Sequence, residues 1–373
     1  MAEMMIYGLV ATNSFMLFTF AIYIITQMYK IIGADNKMIL DFDLIESENS
    51  CSQSLYCSIV NWYKLDYKIL FLYTWSFWFN SENSDIPIGL RIGRKNDKMK
   101  DILNSFFSIQ FQQIDTSQDF SNEIIEIIHN ELLKNKPVIV GTNLYWCPWS
   151  KKYKKESRYP DKRIHPEDCD NIIIIGIDFD KKIVYCKEKN TDNKFVFATF
   201  NDIIYGCKKL NLLEKGDKSG PRNNFDWKKS IKRSLEYTNQ NIFTENVFEN
   251  MKELALHLKN VDLDLNSERN GLSDLYLADI PLLDRIMNIG RARKQFAKVL
   301  QYFVRNFDAN QLSPFINDFY EIRNKWDNIK IIFLKGFKVN RLSRQTLDSI
   351  ADEINNLSIL EEKAFYDLRN IVK

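Results

Sequence analysis

Cys51 is the residue best placed to do chemistry in this chain. It opens the stretch SCSQSLYCSIVNWYKLDY, in which Leu55, Ile59, Trp62 and Tyr63 recur at spacings of three and four. That period gives a helix with one apolar face, and the polar loop 46–50 puts Cys51 at its head. A thiol at a helix N-terminus lies beside backbone N–H groups that have no intrahelical acceptor. They favour the thiolate and pull the thiol below its usual pKa of about 8.5. Asn49 and Ser50 could contribute to an oxyanion site, and the chemistry on offer is nucleophilic attack on an acyl group. Taken alone, Cys51 reads more readily as an inert buried cysteine. Cys57, six residues on, falls in the helix body, where a thiol is a small apolar filler.

The elements that must position such a thiol follow in order. MILDFDLI, residues 38–45, alternates like a short strand. After the Cys51 helix comes a second apolar helix at about 67–79, and a third over 119–135 with Asp119 or Ser121 as cap. PVIVGTNLYW (137–146) and NIIIIGID (171–178) are β-branched runs bounded by Pro, Gly and Asp, the mark of buried strands. KKIVYCKEK and KFVFATF complete an antiparallel sheet. The Gly-, Asn- and Lys-rich stretch around 211–226 reads as a boundary, and candidate helices follow at 243–259, 281–307, 313–337 and 343–371. The expected fold class is α+β. A domain at 37–215 carries the sheet and the Cys helix, and an all-helical domain occupies 216–373.

Composition narrows the function. With 45% hydrophobic and 27% charged residues, the 373-residue chain is an ordinary globular protein of one or two domains. A net charge of +2 gives no whole-protein case for nucleic acid. The six cysteines show no CxxC spacing, and only His129, His165 and His257 accompany them, so zinc is not expected and reduced cytosolic thiols are. Residues 4–28 carry no charge and are long enough to span a bilayer. Lys30 and Lys37 follow, which would leave the bulk of the protein on the cytoplasmic side. The alternatives for residues 1–36 are a helix packed on the domain or a start site placed too far upstream. KKYKKESRYPDKR (151–163) holds seven basic residues against two acidic ones, either a solvated loop or a docking face for an acidic partner.

The block SCSQSLYCSIVNWYKLDYKILFLYTWSFWFN resembles the N-terminal region of proteins similar to butirosin biosynthesis protein H. In that family a Cys begins a helix and a W-x-F segment follows some twenty-five residues later, as Trp75 and Phe77 do here. KPVIVGTNLYWCPWSKKY, the strand ending in GID, and IVYC continue the pattern, so the resemblance covers about residues 38–205. It implies a papain-like Cys–His fold. It also implies transfer of acyl or aminoacyl groups from carrier-protein thioesters during antibiotic or nonribosomal peptide assembly. The partner implied is an acyl or peptidyl carrier protein bearing its substrate on phosphopantetheine, with no cofactor of the chain's own.

The departures from the family bear on mechanism. The family's His, six residues before the Gly of the strand motif, is here Asp170, counted back from Gly176. The family's Asp before the aromatic pair is Asn143, and the acidic position after the next strand is Glu188. Aspartate is a poor substitute. With reference pKa values of about 3.9 for Asp and 8.5 for Cys, thiol-to-carboxylate transfer is uphill by roughly 6 kcal/mol, and a negative neighbour raises a thiol's pKa. His165 is a second candidate partner. The five residues to Asp170 span about 17 Å when extended, so the loop would have to turn back, as Pro166 allows; otherwise His165 is an exposed loop residue. The function expected is Cys51-dependent acyl transfer to an amine, with Asp170, Glu188 and His165 as the other site candidates. The alternative is a catalytically impaired homologue acting as a carrier- or enzyme-binding scaffold.

Overall fold

The computed structural model describes residues 37–45, 51–82, 85–95, 98–116, 123–150, 153, 169–189, 194–216, 225–240, 246–270, 277 and 280–373. The elements in chain order are β1 (Lys37–Ile39), α1 (Cys51–Trp62), α2 (Met99–Phe107), β2 (Ile109–Asp115), α3 (Glu123–Leu133) and β3 (Val138–Asn143). They continue as β4 (Cys169–Asp178), β5 (Ile183–Lys187), β6 (Val196–Thr199), α4 (Phe200–Gly206) and β7 (Cys207–Lys215). The remainder is helical: α5 (Trp227–Asn239), α6 (Val247–Asn260), α7 (Pro281–Phe307), α8 (Ser313–Val339) and α9 (Arg344–Ile371). The fold is mixed α+β, with an antiparallel sheet and a helical C-terminal region. Among the described residues no helix is long and apolar enough to cross a membrane; the hydrophobic stretch 4–28 lies outside them.

The chain divides into two compact units, each assembled from two separate stretches of the chain. One unit holds residues 37–46 and 111–214, the other 47–110 and 215–373. The Cys51 helix therefore belongs with the C-terminal helices and not with the sheet. The reason lies in packing partners distant in sequence. Gln53 of α1 pairs with Gln295 of α7 at 2.9 Å, and Trp75 packs edge-on or tilted among Phe248, Phe296, Phe319 and Phe365. No local pattern announces such contacts.

The sheet unit is built on strand order β2-β7-β3-β4-β5-β6, with β1 also paired to β4. β4 is central: it is antiparallel to β3, β1 and β5. Its isoleucines at 172, 173, 174, 175 and 177 are all buried, as a near-continuous β-branched run predicts for a strand covered on both faces. Gly176 sits opposite Ile39, and a Cβ there would run into the Met38 carbonyl. The strand expected over 38–45 pairs only to Ile39, although Leu40, Phe42 and Leu44 keep the alternation and are buried.

The helical unit departs most from expectation at 67–79. Only Tyr67–Phe71 is helical, as a 3-10 turn capped by Asp66. The chain then runs extended and pairs Trp78–Phe79 with Ile92–Gly93. An aromatic run that is apolar on all sides carries no period to separate helix from buried extended chain. At the centre of this unit lies an ion pair, Arg293 with Glu361, both fully buried. Glu361 Oε1 accepts from Arg293 Nε at 3.0 Å and from the Trp326 indole at 3.2 Å. Its Oε2 accepts from Arg293 Nη2 at 2.8 Å and from the Trp75 indole at 2.7 Å, while Arg293 Nη1 donates to the Ser76 carbonyl at 2.9 Å. Both charges are thus saturated by hydrogen bonds, the condition under which a buried pair is tolerated.

Candidate active site

The structure makes Cys51 the first residue of α1, a 12-residue helix with no acidic group in its first turn. The first four N–H groups of a helix have no intrahelical acceptor, so its head carries partial positive charge. The rest of α1 is deeply set. Leu55, Cys57, Ile59 and Val60 are buried, and so are the polar Gln53, Ser54 and Ser58. Asn49 and Ser50, expected near an oxyanion site, lie outside the described residues.

The remaining site candidates belong to the sheet unit. Asp170 stands in β4 opposite Thr142 of β3, and Cys169 stands opposite Asn143. Asn143 is the N-cap of the short 3-10 turn Leu144–Trp146, its Oδ1 accepting from the Tyr145 N–H at 2.9 Å. This position serves as a local cap, the usual task of a short polar side chain before a helical turn. Glu188, just past β5, is 6% exposed, and its Oε2 accepts from the Trp149 indole at 2.5 Å. The carboxylate therefore ties the loop after β3 to the end of β5.

His165 and the basic stretch 151–163, apart from Tyr153, lie outside the described residues. Tyr153, at the edge of that stretch, donates to Asp202 of α4 at 3.3 Å. The other two histidines take up packing roles. His129 of α3 sets its ring against Phe179 at 4.9 Å. His257 of α6 accepts from Arg91 Nη2 at 2.7 Å and packs on Phe79; burial first, and then the Arg91 charge, lowers its pKa.

The thiols separate by environment. Burial pushes Cys186 well up, with Cys147 and Glu188 adding to the effect, and raises Cys207 to about 11. Cys57, Cys147, Cys186 and Cys207 are buried and form no disulfide. Such thiols are structural. Among the described residues no group of three or more His, Cys, Asp or Glu could hold a metal ion.

The chain matches no protein-family model and no curated protein. Cys51 belongs to one unit, and Asp170 and Glu188 belong to the other. Sequence reading missed Trp149 as the partner of Glu188, and missed the Gln53–Gln295 pair. The signal available for the second was Gln53, a long polar side chain on a helix that also carries Leu55, Ile59 and Val60.

Proposed function

We propose that the chain is a papain-like acyl- or aminoacyltransferase of the butirosin biosynthesis protein H-like family, acting through Cys51 in antibiotic or peptide natural-product assembly. The observation that carries this reading is the placement of Cys51 as the first residue of a buried helix whose first turn lacks acid, together with the order of the family-like motifs along the chain. In the first step the Cys51 thiolate attacks the carbonyl of a carrier-bound thioester. The carbon–sulfur bond to phosphopantetheine breaks, and the departing thiolate takes up a proton. In the second step an amine attacks the Cys51 thioester, the carbon–sulfur bond breaks, the nitrogen gives up a proton to solvent as the amide forms, and the Cys51 thiolate is released. The basic stretch 151–163 fits docking of an acidic carrier protein.

A second reading rests on Asp170, which stands in β4 where the family carries histidine. A carboxylate cannot form the thiolate–imidazolium pair, so the chain would keep the fold as a carrier- or enzyme-binding scaffold. One experiment separates the two. Incubation with acyl-loaded carrier is expected to add the acyl mass to the tryptic peptide containing Cys51. Acylation of Cys51→Ala to the same extent would exclude the mechanism, and carrier binding without any acylation would establish the scaffold.

A further inference from the structure

We propose that the solvent face of α5, with Lys95 and Lys98 beside it, is a docking surface for an acidic protein. The inference goes beyond acyl transfer and does not depend on it. α5 buries Ile231, Ser234, Leu235 and Thr238. At about 100° per residue, Lys228, Lys229, Lys232 and Arg233 fall on the opposite side, and all four are exposed. Glu236 is the one acidic residue of the helix.

The charges on α5 run against the stability of the helix that carries them. A helix favours acidic groups at its N-terminal end and basic groups at its C-terminal end. Here the first turn holds Lys228 and Lys229 and no acid, and the last turn holds no base. Lys228 with Lys232, and Lys229 with Arg233, are also like-charge pairs at a spacing of four, which destabilise a helix. Other surface cations of the same unit are matched with carboxylates, Lys252 with Glu249 and Lys259 with Asp352. Among the described residues none of the four on α5 makes such a pair. A charge pattern that costs the helix stability and is not neutralised within the unit is suited to a partner of opposite charge.

Two further cations are fixed at the flank of this face. Lys95 Nζ donates to the Tyr237 carbonyl at 2.9 Å and lies 5.0 Å over the Tyr237 ring. Lys98 Nζ lies 4.6 Å from the centre of the same ring, so two ammonium groups share one aromatic. Burial first, and then the Lys98 charge, lowers the pKa of Lys95. Tyr237 meets Tyr73 edge to face at 5.3 Å, and the charges of Arg233, Asp101 and Glu236 all act on the Tyr73 phenol, which joins the lysine pair to the α5 row. From Lys228 to Tyr237 the surface runs about 13 Å along the helix, longer than one small anion and suited to a row of carboxylates. Both tyrosine rings are taken up by each other and by the ammonium groups, so they offer no open face to a nucleobase. The apolar residues of α5 point inward, unlike those of a helix that lies on lipid.

The test is fluorescence anisotropy of labelled poly-glutamate with the full-length chain at low salt. Lys229→Glu combined with Arg233→Glu is compared with Lys335→Glu combined with Lys338→Glu, two exposed positions on α8 that change the net charge equally. The α5 variant is expected to bind on the order of tenfold more weakly than the wild type, and the α8 variant to stay close to it. The α5 variant should also melt no lower than the wild type, because it relieves the like-charge pair and places an acid in the first turn. If it fails to fold, Lys228→Gln with Lys232→Gln serves in its place. Absence of poly-glutamate binding to the wild type, or equal loss in the α5 and α8 variants, overturns the proposal. So does tighter binding of poly-uridylate or of phosphatidylserine vesicles that the α5 variant loses, since the surface would then belong to nucleic acid or lipid.

Discussion

The two units bury polar groups in opposite ways. The sheet unit fills its centre with the isoleucines of β4 and keeps its carboxylates at strand ends, where Asp178 accepts from the Lys181 N–H and Glu188 from the Trp149 indole. The helical unit puts a full ion pair at its centre and surrounds Glu361 with Arg293, Trp75 and Trp326. An apolar core tolerates imprecise packing, because hydrophobic attraction is non-directional. A buried charge does not, because losing one partner strands the other. The helical unit is thereby committed to one arrangement, and it is the unit that carries Cys51.

The contrast is most exposed to failure at Glu361. Glu361→Gln leaves the Arg293 guanidinium buried without its counter-charge, and a loss of about 3–5 kcal/mol is expected in urea unfolding. Combining Arg293→Met with Glu361→Leu should cost less than Glu361→Gln, since neither charge is then stranded. A single-variant loss below about 1 kcal/mol would remove the distinction between the units. The sheet unit is expected to respond less. Gly176→Ala drives a Cβ against the Met38 carbonyl and Ile39 and should cost about 1–3 kcal/mol, with faster amide exchange confined to β1 and its contacts on β4. Loss of protection across the whole chain would show the two units to be one cooperative block.

The smallest effect is a dependence on pH within the helical unit. Burial and Arg91 lower the pKa of His257, so below about 6.5 the unfolded chain binds a proton that the folded chain refuses. Stability should therefore fall as pH drops through that value toward the lowered folded one, and remain level above it. His257→Gln should flatten this part of the curve. A wild-type curve that rises on acidification over this window would contradict the Arg91–His257 geometry.

How much of this was legible in the sequence follows from the range of the interactions. β3, β4, β5 and β6 announce themselves because β-branched runs between Gly, Pro and Asp act locally, and α7, α8 and α9 because their apolar period persists over 27 or 28 residues. α2 was not legible. Its N-cap is Lys98 at φ 50 with no side-chain cap, so the ordinary start signal is missing. α5 did carry a signal, Asp226 accepting from the Lys229 N–H at 2.9 Å, but it follows a stretch that reads as a linker. The Arg293–Glu361 pair and the assignment of residues 47–110 to the helical unit depend on contacts across hundreds of residues, where pattern has no reach. At the candidate site, Cys51 at a helix head could be read directly. The closure of Glu188 by Trp149 could not, since it is a fact of three-dimensional neighbourhood.

The order in which the helical unit is assembled from the chain has a consequence for synthesis. Residues 37–46 and 111–214 emerge from the ribosome before α5 exists, so the sheet can form while the chain is still growing. The segment with Cys51 and Trp75 is made after β1 but before the rest of the sheet, yet it must wait through the translation of that sheet for α7 to bring Arg293, and longer for α9 to bring Glu361. Until that last carboxylate arrives, α1 and the aromatic run behind it are exposed apolar chain. A nascent-chain holdase that covers 51–79 during this interval would therefore raise the yield of native protein, more than one acting on the sheet.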